Sequence, residues 1–248
     1  MEVVIFANPD DVTRRAADLV QGLLAERPQA VLALPTGRTP LALYRELSAR
    51  GLDFSQARTF NLDEYVGLGR EHPDSFASYM EQNFFRHVNL PPAQHRVPNG
   101  LASDLAAEAR AYEEAIRAAG GLDLAILGLG EDGHIAFNEP SSSLGSRTRV
   151  MALHSSTRQA NLDTFKGGPV PTHGLTMGVG TIMQARRILL LATGPKKAAI
   201  LPRVIEGPIT SLVPATALQL HPQATALVDE AAARRLELKD YYRTAYPA

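Results

Sequence analysis

The chain has 248 residues, 45% of them hydrophobic and 21% charged, with a formal net charge of −1. These are the proportions of an ordinary soluble globular protein able to bury a sizeable core, and without a basic run nothing electrostatic suggests nucleic acid or a membrane surface as a partner. There is no cysteine, which excludes disulfides, thiol catalysis and cysteine-ligated metal.

The N-terminal apolar run, Met1 to Ala7, is too short and too soon interrupted by Asn8-Pro9-Asp10 to act as a signal peptide, and no apolar run reaches transmembrane length. A soluble, cytoplasmic protein is the expectation. Val3 to Ala7 reads as a first strand, followed by a helix capped at Asp10 or Asp11 with Val12, Ala16, Leu19, Val20 and Leu23 on one face.

Ala30 to Leu34 reads as a second, buried strand. Its exit, Pro35-Thr36-Gly37-Arg38-Thr39-Pro40, offers Gly37 for close backbone approach, Thr39 as an N-cap and Pro40 as a first helical residue. Free N–H groups at a helix start after a strand suit a phosphate, although alone the motif fits a plain structural turn equally well.

Arg58 to Leu62 predicts a third strand ending at Asp63-Glu64, so a carboxylate falls at a strand's C-terminal edge, or else the pair caps a turn. A helix is predicted from about Asp74, with Phe76, Tyr79, Met80 and Phe84 as a core-packing stripe. Ala106 to Ala118 predicts an alanine-rich helix leading to the buried strand that begins at Leu122.

That strand opens into Gly128-Leu129-Gly130-Glu131-Asp132-Gly133-His134-Ile135-Ala136-Phe137-Asn138-Glu139-Pro140. The loop combines carboxylates, an imidazole that titrates near neutrality and glycines that admit a ligand to the backbone, a mixture suited to proton transfer. Its length and its apolar residues, Ile135 to Phe137, separate it from an ordinary turn and imply partial burial.

Between Met151 and His173 the periodicity breaks down around Gly167-Gly168-Pro169-Val170-Pro171, which reads as a lid at about 151–173 or as a surface excursion. Ile188 to Ala192 predicts another buried strand, after which Gly194-Pro195-Lys196-Lys197 opens a helix and brings a lysine near an anion site. Ala224 to Val228 predicts the last strand and Glu230 to Leu238 a closing helix. Strands alternating with helices give an α/β fold, a single Rossmann-like three-layer domain with a mainly parallel sheet and helices on both faces.

The loop at 128–140 resembles the signature loop of the glucosamine-6-phosphate deaminases. So do Phe60 to Leu68, Leu34 to Pro40, Ser143 to Arg149, Gly178 to Thr181 and Leu218 to Pro222, spread in the family's order over nearly the whole chain. The resemblance implies conversion of glucosamine 6-phosphate and water to fructose 6-phosphate and ammonia by proton shuttling, with no metal or redox cofactor. It assigns Asp63 as the proton acceptor at the amine-bearing carbon, His134 as the group assisting ring opening, and Asp132 and Glu139 as the carboxylates that orient it. Thr36, Gly37, Arg38, Thr39 and Lys197 would hold the sugar and its phosphate.

Three departures stand out. Asp163, in Asn161-Leu162-Asp163-Thr164-Phe165, falls where the family's lid carries a phosphate-binding arginine, while Arg38 replaces a second glycine of the phosphate loop. An arginine can grip phosphate bidentately, so Arg38 is expected to supply the missing charge. Met151 stands where allosterically activated members carry a basic residue, predicting no response to an N-acetylated sugar-phosphate effector.

The rivals are a deaminase of another amino-sugar phosphate, a 6-phosphogluconolactonase and a non-catalytic sugar-phosphate sensor. The lactonase loop continues differently after its histidine, and the chain shows no DNA-binding segment for a sensor. A homo-oligomer is compatible with the sequence, which does not fix the number of subunits.

Overall fold

The computed structural model describes residues 1–162, 165 and 168–248. In chain order the strands are β1 (Glu2–Phe6), β2 (Val31–Leu34), β3 (Arg58–Asn61), β4 (Asp63–Tyr65), β5 (His95–Arg96), β6 (Leu124–Gly128), β7 (Arg149–Ala152), β8 (His173–Thr176), β9 (Arg187–Ala192) and β10 (Ala224–Asp229). Seven of them form a parallel sheet in the order β1-β10-β9-β6-β2-β3-β5. The expected mainly parallel sheet is present. A second, three-stranded antiparallel sheet, β4-β8-β7, is an addition that the sequence reading did not contain.

Successive side chains on a strand point to opposite faces, so continuous apolar runs supply two cores. Leu32, Leu34, Leu124, Ile126, Leu189, Leu191 and Leu227 face one core, closed by α1 (Pro9–Glu26), α2 (Arg38–Ala49) and α3 (Phe76–Asn83). Val31, Ala33, Ala125, Leu127, Ile188, Leu190, Ala226 and Val228 face the other. There α4 (Leu105–Ala118), with Tyr112 and Ile116, and the C-terminal segments, with Leu201, Val204, Ala232 and Tyr242, cover the sheet. Helices therefore lie on both faces, as the alternation of elements implies.

Several boundaries move for local reasons. The cap of α1 is Asn8, whose side chain accepts the Asp11 N–H, and Asp10 and Asp11 lie within the first turn. Helix α2 begins at Arg38 with Gly37 in the N-cap position, so neither Thr39 nor Pro40 opens it. Part of the unpatterned stretch is regular, since β7, α5 (Ser155–Asn161) and β8 lie in it. Lys197 closes a single 3-10 turn, Pro195–Lys197, and not the first turn of a long helix. Glu230–Ala233 and Lys239–Ala245 are two short helices in place of one closing helix.

Candidate active site

The loops that follow β9, β6, β2 and β3 leave the same edge of four adjacent strands. In a parallel sheet the carboxyl ends of the strands form the ligand-binding edge. Lys197, the loop at 128–140, the loop at 35–40 and Asp63 belong to these four exits, in that spatial order.

After β6 the chain turns back tightly, with Gly130 N–H donating to the His134 carbonyl (2.9 Å) and Gly133 N–H to the Gly130 carbonyl (3.1 Å). Gly133 has φ +91°, and a Cβ there would lie 2.4 Å from Cγ1 of Val213, so both conformation and space require glycine. Ala136 is held at φ 49°, an uncommon conformation for a residue with a side chain.

This turn presents His134 to two carboxylates. Its Nδ1 lies 2.7 Å from Oδ1 of Asp132 and 3.9 Å from Oε2 of Glu139. Burial pushes the Asp132 carboxyl upward, but the His134 hydrogen bond and charge and nearby backbone N–H groups outweigh it and hold the group at about 2. Glu139 is buried; its Oε1 accepts the His154 N–H at 3.2 Å, while its Oε2 has no hydrogen-bond partner among the described residues. That free acceptor faces the imidazole.

Asp63 opens β4, and Thr176, its register partner on β8, accepts the backbone N–H of Phe137 on Oγ1 at 3.1 Å. Burial and then the charge of Glu64 push the Asp63 carboxyl well above the usual carboxylate range, against the opposing pull of the Phe137 N–H.

Glu64 is also buried but points elsewhere. Its Oε1 accepts the N–H groups of Tyr65 (2.8 Å) and Phe76 (2.9 Å), and its Oε2 that of Ala77 (2.9 Å). It anchors the start of α3, whose cap is Ser75, so Glu64 has a structural role in the Asp63-Glu64 pair. Burial raises the Glu64 carboxyl to about 7, despite these three donors.

The loop after β2, expected to hold a phosphate, has Thr36 and Thr39 half-buried and Gly37 and Arg38 exposed, with Gly37 at φ +114°. Arg38 makes no ion pair among the described residues. Lys197 lies near enough to Glu131 and Asp132 to feel their charge; burial lowers its pKa and the two carboxylates oppose that. Asp163 lies outside the described residues, whereas Phe165 packs edge-on against Tyr65 with ring centroids 5.3 Å apart.

Three contributors were missed from sequence. Asn138 is fully buried, donates to the carbonyls of Ile135 (3.0 Å) and Met177 (2.8 Å), and accepts from Arg149 Nη1 (2.9 Å). With Arg149 and Thr176 it fixes the bend of the loop. Asn138 and Arg149 stood inside recognised blocks, but no local pattern signalled their pairing.

Asp132, His134 and Glu139 each offer a ligand atom, all within 4.8 Å of one another, a spacing compatible with a cation. Ligands of one zinc ion stand about 3.3 Å apart, so the 2.7 Å contact between Asp132 and His134 is that of a directly paired carboxylate and imidazole.

A parallel α/β sheet with a carboxylate-paired imidazole in the loop after a central strand is an arrangement suited to an enzyme of proton-transfer chemistry. Residues 7–228 match the family described as glucosamine-6-phosphate isomerases/6-phosphogluconolactonase, and the chain belongs to that family. It is 49% identical over 254 residues to a glucosamine-6-phosphate deaminase of Mycolicibacterium smegmatis, covering 100% of this chain and 97% of the relative. It is 45% identical to the deaminase of Thermoanaerobacter pseudethanolicus, covering 97% of each. The solved structure of a monomeric glucosamine-6-phosphate deaminase superposes with a TM-score of 0.91 at 42% identity, covering 95% of this chain and 100% of that one. A 6-phosphogluconolactonase from Trypanosoma cruzi shares the fold, with a TM-score of 0.78 at 22% identity and coverage of 95% and 97%. No helix among the described residues is long and apolar enough to cross a membrane.

Proposed function

We propose that the chain is a glucosamine-6-phosphate deaminase, converting glucosamine 6-phosphate and water to fructose 6-phosphate and ammonia. The single observation that supports the assignment of roles is the junction of the small sheet with the loop that carries His134, where Thr176, the register partner of Asp63, accepts the Phe137 N–H. Full-length relatives at 45–49% identity support the deaminase over the lactonase, whose likeness is at the level of fold.

In this reading His134, paired with Asp132 and faced by Glu139, moves the proton that opens the sugar ring. Asp63 then removes the proton from the carbon bearing nitrogen and returns it to the neighbouring carbon. The resulting imine takes up water and releases ammonia, leaving the ketose. Thr36, Gly37, Arg38 and Thr39 hold the phosphate at the start of α2, and Lys197 adds positive charge beside the loop. The lid expected at about 151–173 falls partly on residues outside those described, and its closure would exclude bulk water from the intermediate. A charged sugar phosphate does not cross a bilayer unaided, which supports a cytoplasmic site of action.

Purified protein incubated with glucosamine 6-phosphate, other amino-sugar phosphates, unphosphorylated glucosamine and 6-phosphogluconolactone tests the reading. Stoichiometric ammonia and fructose 6-phosphate from the first substrate is the expected result. Lactone hydrolysis without ammonia release from any amino sugar would replace it with the lactonase.

A further inference from the structure

Helix α3 touches both β4 and α2. Its start is held by Glu64, the residue after Asp63, through the N–H groups of Phe76 and Ala77, and its cap Ser75 accepts the Ser78 N–H at 3.0 Å. One turn further on, the ring of Tyr79 packs against the core as expected, and its hydroxyl donates to the Gly37 carbonyl at 2.6 Å. From α2 the buried Tyr44 donates to the carbonyl of Pro35. Two hydroxyls on different helices therefore grip alternate carbonyls of one short loop.

A peptide group is planar and trans, so fixing a carbonyl also fixes the following N–H in the opposite direction. The bond to Gly37 sets the Arg38 N–H, and the bond to Pro35 sets that of Thr36. Gly37, at φ +114° with nothing within 4 Å of a Cβ built there and no side-chain cap on α2, is the point at which this loop would otherwise rotate.

We propose that Tyr79 is a positioning residue for the phosphate loop, holding the Gly37–Arg38 peptide plane in register with Asp63 through Glu64 and α3. The inference rests on the reading of residues 36–39 as the phosphate site. It gives α3 a task beyond packing: it transmits the position of the β4 carboxylate to the loop that grips the far end of the substrate.

Tyr79→Phe removes the hydroxyl and keeps the ring. One lost hydrogen bond of about 0.5–1.5 kcal/mol corresponds to about 2- to 12-fold in affinity. The expected result is a KM for glucosamine 6-phosphate and an inhibition constant for inorganic phosphate that rise together by about 3- to 10-fold, with kcat within twofold and an unchanged melting temperature. Unchanged KM and phosphate inhibition, or a fall in kcat at constant KM, would overturn it. Arg38→Gly measured alongside separates the two levels: if that variant weakens phosphate inhibition and Tyr79→Phe does not, only the positioning role fails. If neither variant does so, the phosphate site itself is elsewhere and the positioning role fails with it.

Discussion

Thr176 Oγ1 accepts the backbone N–H of Phe137 at 3.1 Å, which ties the small antiparallel sheet to the loop of the large parallel one. Thr176 is the register partner of Asp63, so a residue 74 positions before Phe137 lies one cross-strand step from that bond. Burial and the charge of Glu64 raise the Asp63 carboxyl, and the Phe137 N–H opposes them.

The raised carboxyl sets the acid limb of activity. A base is inactive when protonated, so kcat/KM falls as pH drops through the folded-state value of Asp63, which lies above the ordinary 3.8. Glu64→Gln removes a charge that raises it, and the limb is expected to move to lower pH. Folding stability gives an independent check: the Glu64 carboxyl is raised from 4.5 to about 7. Its stabilising contribution is thus fully present below 4.5 and lost as pH rises through 7. Wild type should lose stability relative to Glu64→Gln across that window, by about 1–3 kcal/mol in urea titrations. A limb and a stability difference that both ignore pH would refute the coupling.

Gly130 sits under the catalytic imidazole, and a Cβ there would come within 2.4 Å of Cε1 and Nδ1 of His134. Gly130→Ala must therefore displace the ring from Asp132. A correctly placed acid or base contributes about 10²- to 10⁴-fold, so kcat should fall at least about tenfold with KM changed much less. Circular dichroism melting within a few degrees of wild type would separate displacement of the ring from loss of the fold.

Arg38, exposed and without an ion pair among the described residues, is available to an incoming anion. A charge-assisted hydrogen bond is worth about 1.5–3 kcal/mol, equivalent to about 10- to 150-fold in affinity. Arg38→Gly should raise the KM for glucosamine 6-phosphate by that order and leave the slow turnover of unphosphorylated glucosamine unaffected. Equal changes for both sugars would point to a disturbed loop instead.

Met151 places its sulfur 3.6 Å from Nη2 of Arg149, whose Nη1 is engaged by Asn138. The position that would need a cation for an N-acetylated effector is occupied by a thioether. Adding N-acetylglucosamine 6-phosphate should leave the substrate saturation curve in place, and a shift toward lower substrate concentration would contradict the assignment.

By itself the sequence determined six of the seven strands of the parallel sheet and the helices α1, α3 and α4. Apolar runs such as Ile188 to Ala192, the periodic face of α1 and the glycines around His134 act through near neighbours, and near neighbours are what a linear pattern records. Only the tertiary structure decided that β4 leaves the main sheet to pair with β8, that Glu64 turns away to hold α3 while Asp63 turns inward, and that Asn138 and Arg149 lock the loop. Those outcomes depend on which apolar faces bury one another and where each buried polar group finds a partner, choices made between residues far apart along the chain.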